Sequence, residues 1–300
     1  MNRLYGGIEA GGTKFVCTVA TGPDQVIEEK RFPTTSPDET IGKAVAFLLP
    51  YAGRGELAAV GIASFGPVDL NPASPTYGYI TTTPKAGWSQ VDLRGRLSQS
   101  LGLPVAFDHD VVAAAYGEQT WVPANRDLDP FVYVTIGTGV GVGVIANSRP
   151  LHGLVHPEAG HFPIPHDRQR DPFPGACPYH GDCLEGLASG PAMEKRWGQK
   201  AETLPDSHSA WELEAQYIAL GLMNLIYAYS PQRIVLGGGV SQHAGLHAAV
   251  RSRVQKGLNG YVHSPMVAER IDEYIVPPGL GNRSGGLGAI AMARDLVKSG

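Results

Sequence analysis

The sequence predicts an α/β protein built from two related halves, and three observations carry that prediction. Apolar, β-prone runs alternate with segments of helical period along the whole chain. Glycine-rich turns close several of the strands, and 39 of the 300 residues are glycine. Two units of strand, glycine/threonine turn and strand, at residues 4–20 and 131–147, share one design. Repetition of that unit points to an internal duplication in which each half opens with a phosphate-facing hairpin. The two halves are expected to flank a cleft.

Residues 4–10 and 15–20 form the first hairpin, because apolar β-prone residues stand on both sides of Gly11-Gly12-Thr13-Lys14. Ser36-Pro37-Asp38-Glu39 then opens a helix that runs to about Leu49, with serine at the N-cap, proline in the first turn and glutamate three residues on. Residues 58–64 form a strand that ends in Phe65-Gly66-Pro67-Val68. A long polar loop follows as far as Trp88 and suits ligand binding. Residues 104–107 form a short strand leading into Asp108-His109-Asp110 and a helix over 111–120. The second glycine hairpin comes next. Residues 211–229 have near-helical apolar spacing and stop before Pro231. Residues 233–236 form a buried-type strand closed by Gly237-Gly238-Gly239. The last segment, 279–296, begins as a glycine turn and becomes an alanine-rich helix.

Composition narrows the function. A formal net charge of −4 and an isoelectric point near 6.2 give no basic footprint for nucleic acid or an anionic membrane. The opening residues lack an apolar stretch of signal-peptide length, and no run approaches bilayer-spanning length, so a cytoplasmic protein is expected. Glycine and the 24 prolines show no three-residue period and punctuate a globular fold. Of the three cysteines, Cys17 lies in an apolar strand and the other two have metal-site spacing, which leaves no disulfide framework.

Residues 156–185 carry a cysteine/histidine cluster. Thiolate and imidazole ligands at the spacing Cys177-x2-His180-x2-Cys183, joined by His161, suit a tetrahedral zinc. Four protein ligands close the coordination shell, so the ion would be structural, and a zinc hydrolase is disfavoured because a hydrolytic zinc keeps a position open. His156 is a spare ligand, and His166 reads as an ordinary loop histidine.

Alone, Gly11-Gly12-Thr13-Lys14 fits neither the P-loop nor the dinucleotide spacing, and a tight turn explains it. Together with Gly137-Thr138-Gly139 and Gly237-Gly238-Gly239 it makes three bare-backbone turns, which can bring amides and the hydroxyls of Thr13 and Thr138 close to a polyphosphate. Lys14 suits either a phosphate or an exposed hairpin. Asp110, between a strand and a helix, suits either a helix cap or a general base. The loop 81–85 reads as a surface turn or as part of a sugar pocket.

In this order the motifs resemble those of the ROK sugar kinases, within the actin-like/hexokinase-like ATPase superfamily. Gly7-Ile8-Glu9-Ala10-Gly11-Gly12-Thr13-Lys14 resembles their first phosphate motif and Thr135-Ile136-Gly137-Thr138-Gly139-Val140-Gly141 their second. Ile234-Val235-Leu236-Gly237-Gly238-Gly239-Val240 is similar to their adenosine-side motif, and the Cys/His cluster to their zinc signature. Cys177 to Pro191 and Ser74 to Ile80 are most similar to the bacterial fructokinase branch. The resemblance implies two ribonuclease-H-like domains flanking a cleft: residues 1–112 completed by the C-terminal helix 286–300, and residues 113–285 with the zinc loop. It also implies ATP as donor, required Mg2+, structural Zn2+, a small-molecule sugar as acceptor and a homodimer. The reaction implied is transfer of the γ-phosphoryl group to the 6-hydroxyl of D-fructose, with mannose, glucose or an N-acetylhexosamine as alternatives.

Carried over residue by residue, Asp110 stands for the family's catalytic aspartate. His109 replaces a common Asn or Thr before it, and Val112 replaces an Asn after it. Glu158, His161 and Glu185 resemble sugar-binding residues, and Gly66 and His109 are placed with them. Gly11, Gly12, Thr13, Lys14, Gly137, Thr138, Gly139, Gly237, Gly238 and Gly239 form the nucleotide set. His161, Cys177, His180 and Cys183 form the zinc set, and Glu9 replaces an aspartate that could hold magnesium through water. Some ROK members are repressors with a helix-turn-helix segment ahead of the first motif, which is not expected here because that motif begins at Gly7.

Overall fold

The computed structural model of the chain describes residues 3–298. Strands β1 (Leu4–Ala10) and β2 (Lys14–Gly22) pair antiparallel, with Ala10 opposite Phe15. Their apolar side chains Ile8, Phe15, Cys17 and Val19 are fully buried in the core of the first sheet. Strand β3 (Gln25–Pro33), absent from the sequence expectation, adds to the outer side of β2. It is exposed along nearly its whole length, and its run Glu28-Glu29-Lys30-Arg31 is a charged edge of the kind that resists pairing with other chains.

Helix α1 (Pro37–Gly53) begins where Ser36 Oγ accepts the Glu39 N–H and continues past Pro50, beyond the expected end. Strand β4 (Leu57–Ser64) lies parallel to β1. Helix α2 (Leu93–Leu101) is capped by Asp92, whose Oδ1 accepts the Gly95 N–H at 2.7 Å. Strand β5 (Val105–His109) is parallel to β4, with His109 opposite Ser64. The order is β3-β2-β1-β4-β5. Helix α3 (Asp110–Trp121) starts directly at the end of β5.

The C-terminal helix α8 (Ser284–Lys298), named for its place in chain order, packs against α3 and β4 through small residues. A Cβ on Gly288 would lie 1.8 Å from the Ala113 carbonyl oxygen, and one on Gly61 would lie 1.9 Å from that of Ala289. Backbone therefore meets backbone, and any side chain at these positions would push the layers apart. Glu118, fully buried on α3, accepts from the N–H groups of Gly279 and Leu280 at 2.9 Å and from Ser284 Oγ at 2.8 Å. Glu118→Ala is expected to lower unfolding free energy by about 2 kcal/mol in urea titrations, because it strands the buried Ser284 hydroxyl and two part-buried backbone donors just ahead of α8.

The second sheet repeats the first. Strands β6 (Phe131–Ile136) and β7 (Val140–Ala146) form the antiparallel hairpin, and β8 (Arg233–Gly237) and β9 (Ile275–Val276) follow in parallel. Their order, β7-β6-β8-β9, and their directions match β2-β1-β4-β5, which is the duplication seen in the glycine turns. Helices α4 (Leu184–Ala188), α5 (Gly190–Trp197), α6 (Ala210–Tyr229) and α7 (Leu246–Leu258) accompany this sheet. The described residues divide into two compact units. The first runs through Asp127 and includes Arg149–His156 and the chain from Gly279; the second comprises Leu128–Ser148 and Pro157–Pro278. Among the described residues, no helix is long and apolar enough to cross a membrane.

Candidate active site

In the first unit the site residues gather where β5 turns into α3. His109 stands at the N-cap without a side-chain cap bond, and Asp110 is the first helical residue. Asp108 Oδ1 accepts the His109 N–H, and Asp110 Oδ1 accepts the Val111 N–H, both at 2.7 Å. His109 Nδ1 lies 3.1 Å from Asp110 Oδ1. The His109 ring stacks on buried His156, with centroids 4.1 Å apart and planes at 23°. A Cβ on Gly66 would sit 2.8 Å from His109 Cδ2, so only glycine leaves room for the ring there. His156, the spare metal ligand of the sequence, is thus engaged in this stack. Burial, and then repulsion from Asp110, hold the Glu9 carboxyl above the usual carboxylate range, opposed in part by a Gly286 backbone hydrogen bond.

The Gly11–Lys14 turn belongs to the same unit. Gly11 N–H donates to the Lys14 carbonyl at 3.0 Å, and the Gly11 carbonyl accepts from Thr34 Oγ1 at 2.6 Å. A Cβ on Gly11 would lie 2.9 Å from the Lys14 carbonyl oxygen, which makes the glycine a requirement of the closed turn. Gly12, Thr13 and Lys14 follow at its surface.

In the second unit, the Gly137-Thr138-Gly139 turn closes β6 and Gly237-Gly238-Gly239 closes the neighbouring β8, with Gly237 opposite Thr135. Gly238 has φ +92°, and a Cβ there would lie 2.2 Å from the Ile136 carbonyl oxygen, so the two turns lie backbone against backbone. The N–H of Gly190, at the start of α5, donates to the Gly137 carbonyl at 2.8 Å. Gly137, Thr138 and Gly239 line a cavity of about 780 Å³, within the size range of small-molecule sites. Its other walls include Trp211 and His243, stacked at 3.6 Å and 14°, with His243 Nε2 3.1 Å from Asp206 Oδ1. This aromatic wall escaped the sequence analysis because its members lie far apart in the chain and belong to no motif.

Two of the elements that carry the predicted sugar residues meet Val140, the residue after the second turn: Gly160, beside His161, and Glu185. A Cβ on Gly160 would lie 1.9 Å from the Val140 carbonyl oxygen, so the single turn Ala159–His161 lies directly on the start of β7. Val140 N–H donates to Glu185 Oε2 at 3.1 Å, and a Cβ on Gly139 would come within 2.6 Å of that oxygen. Glu158 is exposed beside them, its carbonyl accepting the His161 N–H at 3.0 Å.

His161, Cys177, His180 and Cys183 bring one donor atom each to within 4.8 Å of one another. Cys177 Sγ lies 3.7 Å from His161 Nδ1 and 3.6 Å from His180 Nδ1, and Cys183 Sγ lies 3.5 Å from His161 Nδ1. A tetrahedral ion with Zn–S and Zn–N bonds of about 2.3 and 2.05 Å has S···N edges of about 3.6 Å, so the donor set fits zinc in kind and spacing. Burial pushes the Cys183 thiol up to about 11, a proton that a bound cation must displace. His166 is not the ordinary loop histidine that its sequence context suggested. It is nearly buried, with Nδ1 3.0 Å from Asp182 Oδ2 and Nε2 2.9 Å from the Asp171 carbonyl, and so braces the loop between His180 and Cys183.

Comparison with known proteins agrees with this geometry. The ROK family profile matches residues 5–296. A fructokinase of Streptococcus mutans is 43% identical over 301 residues, covering 99% of each chain. A fructokinase of Zymomonas mobilis is 44% identical, covering 97% of this chain and 96% of its own length. The crystal structure of a ROK hexokinase from Thermus thermophilus superimposes with a TM-score of 0.78 at 26% identity, over 99% of this chain and 100% of that one. The fold is therefore that of the actin-like/hexokinase-like ATPases. With its duplicated sheet, its glycine turns in order and a profile match from end to end, this chain belongs to the ROK family.

Proposed function

We propose that this protein is an ATP-dependent hexose kinase that transfers the γ-phosphoryl group of ATP to the 6-hydroxyl of D-fructose. The observation that carries the reading is the identity of more than 40%, along nearly the whole chain, with two fructokinases. The cavity beside Gly137, Thr138 and Gly239 suits the nucleotide, with the glycine backbones admitting its phosphates. Gly12, Thr13 and Lys14 offer an amide, a hydroxyl and an ammonium group for the transferred phosphate. Asp110 takes the proton of the 6-hydroxyl as its oxygen attacks phosphorus, while positioning and charge neutralisation supply most of the rate. Glu158 and Glu185 accept from the sugar hydroxyls and His161, with Nδ1 on the zinc side, donates its Nε2–H to a hydroxyl oxygen, with Gly66 and His109 completing the sugar contacts.

Two accessory ions fit the residues present. The mutual repulsion of Glu9 and Asp110 suits a divalent cation, so Mg2+ arriving with ATP would be held through water by these carboxylates and would neutralise phosphate charge. Zn2+ on His161, Cys177, His180 and Cys183 would be structural and would fix the loop that carries the sugar ligands. The protein is taken to act as a homodimer in the cytoplasm, where ATP is abundant.

A coupled ADP-release assay across fructose, mannose, glucose, N-acetylglucosamine and N-acetylmannosamine tests the reading. Fructose is expected to give the highest kcat/KM, with ADP formed only when sugar and Mg2+ are both present. A higher kcat/KM for another hexose would reassign the acceptor. Turnover with none would end the kinase assignment.

A further inference from the structure

We infer that the segment Arg149–His156 is a strap that sets the position of Asp110, with His152 and His156 as its positioning residues. The inference rests on the kinase reading above. Although its neighbours in sequence belong to the second unit, this segment is part of the first. It attaches to the two residues that precede Asp110. His152 Nε2 lies 3.2 Å from Asp108 Oδ1 and 3.1 Å from Oδ2, and the His156 ring lies on the ring of His109. Leu154 and Val155, between the two histidines, stand exposed, so apolar burial does not draw this part of the strap onto the protein.

Each attachment has a physical basis. Asp108 is buried, with 6% of its side chain exposed, and a carboxylate in such a place needs hydrogen-bonded or charged partners. His152 and the His109 N–H supply them. Reciprocally, the hydrogen bond to Asp108 is the chief reason that His152 holds its proton above the usual imidazole range. His109 in turn is confined by the His156 ring and by the Gly66 backbone, where no Cβ fits. Its Nδ1 then faces Asp110 Oδ1, the same oxygen that accepts the Val111 N–H. The strap therefore acts on Asp110 through His109. Its contribution belongs in kcat, because misplacing a reacting group by about 1 Å costs up to ~10²-fold in rate.

The test compares fructose kinetics of the parent protein with His156→Ala, His156→Phe and His152→Gln, with thermal midpoints as a check on folding. His156→Ala is expected to lower kcat by about tenfold or more, with a smaller rise in KM for fructose because His109 is also placed at the sugar. His156→Phe keeps a flat ring over His109 and should recover most of that loss. His152→Gln, a milder change at a partly exposed residue, should lower kcat several-fold with KM unchanged, and it decides the matter if His156→Ala does not fold. Unchanged kcat in the folded variants, a loss confined to KM, or a phenylalanine variant as poor as the alanine one would each overturn the inference while leaving the kinase reading intact. A parent protein inactive toward every sugar would overturn both.

Discussion

Asp110→Asn is expected to lower kcat for fructose phosphorylation by about 10²–10⁴-fold, with KM for fructose moved by less than about threefold. The substitution is nearly isosteric. An asparagine Oδ1 can still accept the Val111 N–H at the start of α3, so the helix begins as before. What disappears is the negative charge and the basic oxygen proposed to receive the hydroxyl proton. Glu9 supplies a second readout in the same protein, because repulsion from Asp110 is among the causes that raise its carboxyl. Without that charge, the Glu9 carboxyl should titrate at lower pH in NMR, burial remaining as the larger cause of its elevation. Loss of fructose affinity as large as the loss of turnover would instead make Asp110 a residue that shapes the sugar site, and unchanged turnover would remove it from the chemistry.

The features legible in the sequence are those set by local backbone chemistry. Gly11 and Gly238 mark positions where a Cβ meets a carbonyl oxygen, and the turns at both read directly from composition. The junction of β5 and α3 was equally plain, and with it the place of Asp110. The Cys/His cluster is legible in the two-residue spacings around His180, and the structure brings its donor atoms within 4.8 Å of one another. Elements stabilised by their surroundings were not legible. Strand β3 is a charged edge held by pairing with β2, and its sequence lacks an apolar alternation. Helices α2 and α7 are a different case: Leu93, Leu97 and Leu101, and Leu246, Val250, Val254 and Leu258, recur every four residues, a helical spacing that the sequence does show although neither helix is among the elements expected. The contact of His152 with Asp108 joins residues far apart in sequence, as does that of His166 with Asp182, so spacing gives no sign of either. The contact of Glu185 with Val140 depends on Gly139 admitting its carboxylate, and the seat of Gly160 on Val140 on the absence of a side chain, and both emerge only in three dimensions.

Removing the metal from the His161, Cys177, His180 and Cys183 cluster, by Cys177→Ser, Cys183→Ser or chelation of the native protein, is expected to lower thermal stability and raise KM for fructose together. The coupling follows from the short chain between ligand and sugar contact. His161 is proposed for both roles, Glu158 lies three residues before it, and Glu185 lies two residues after Cys183 at the start of α4. In the metal-free protein nothing offsets the proximity of two thiols and two imidazoles, and the loop is left to its hydrogen bonds, chiefly those of His166 and the Cys177–Gly181 bridge. Disturbing the supports of a bound metal typically changes affinity by about 10–100-fold, and a rise in KM of about tenfold is expected here. The effect should depend on pH in a defined sense. Because burial pushes the metal-free Cys183 thiol up to about 11, binding must displace its proton, and metal occupancy should fall as pH falls. Mass spectrometry of metal content across a pH series, with fructose kinetics on the same samples, tests both halves of the argument. A demetallated protein with unchanged KM would uncouple the loop from the sugar and leave Glu185 to be held by its contact with Val140 of β7.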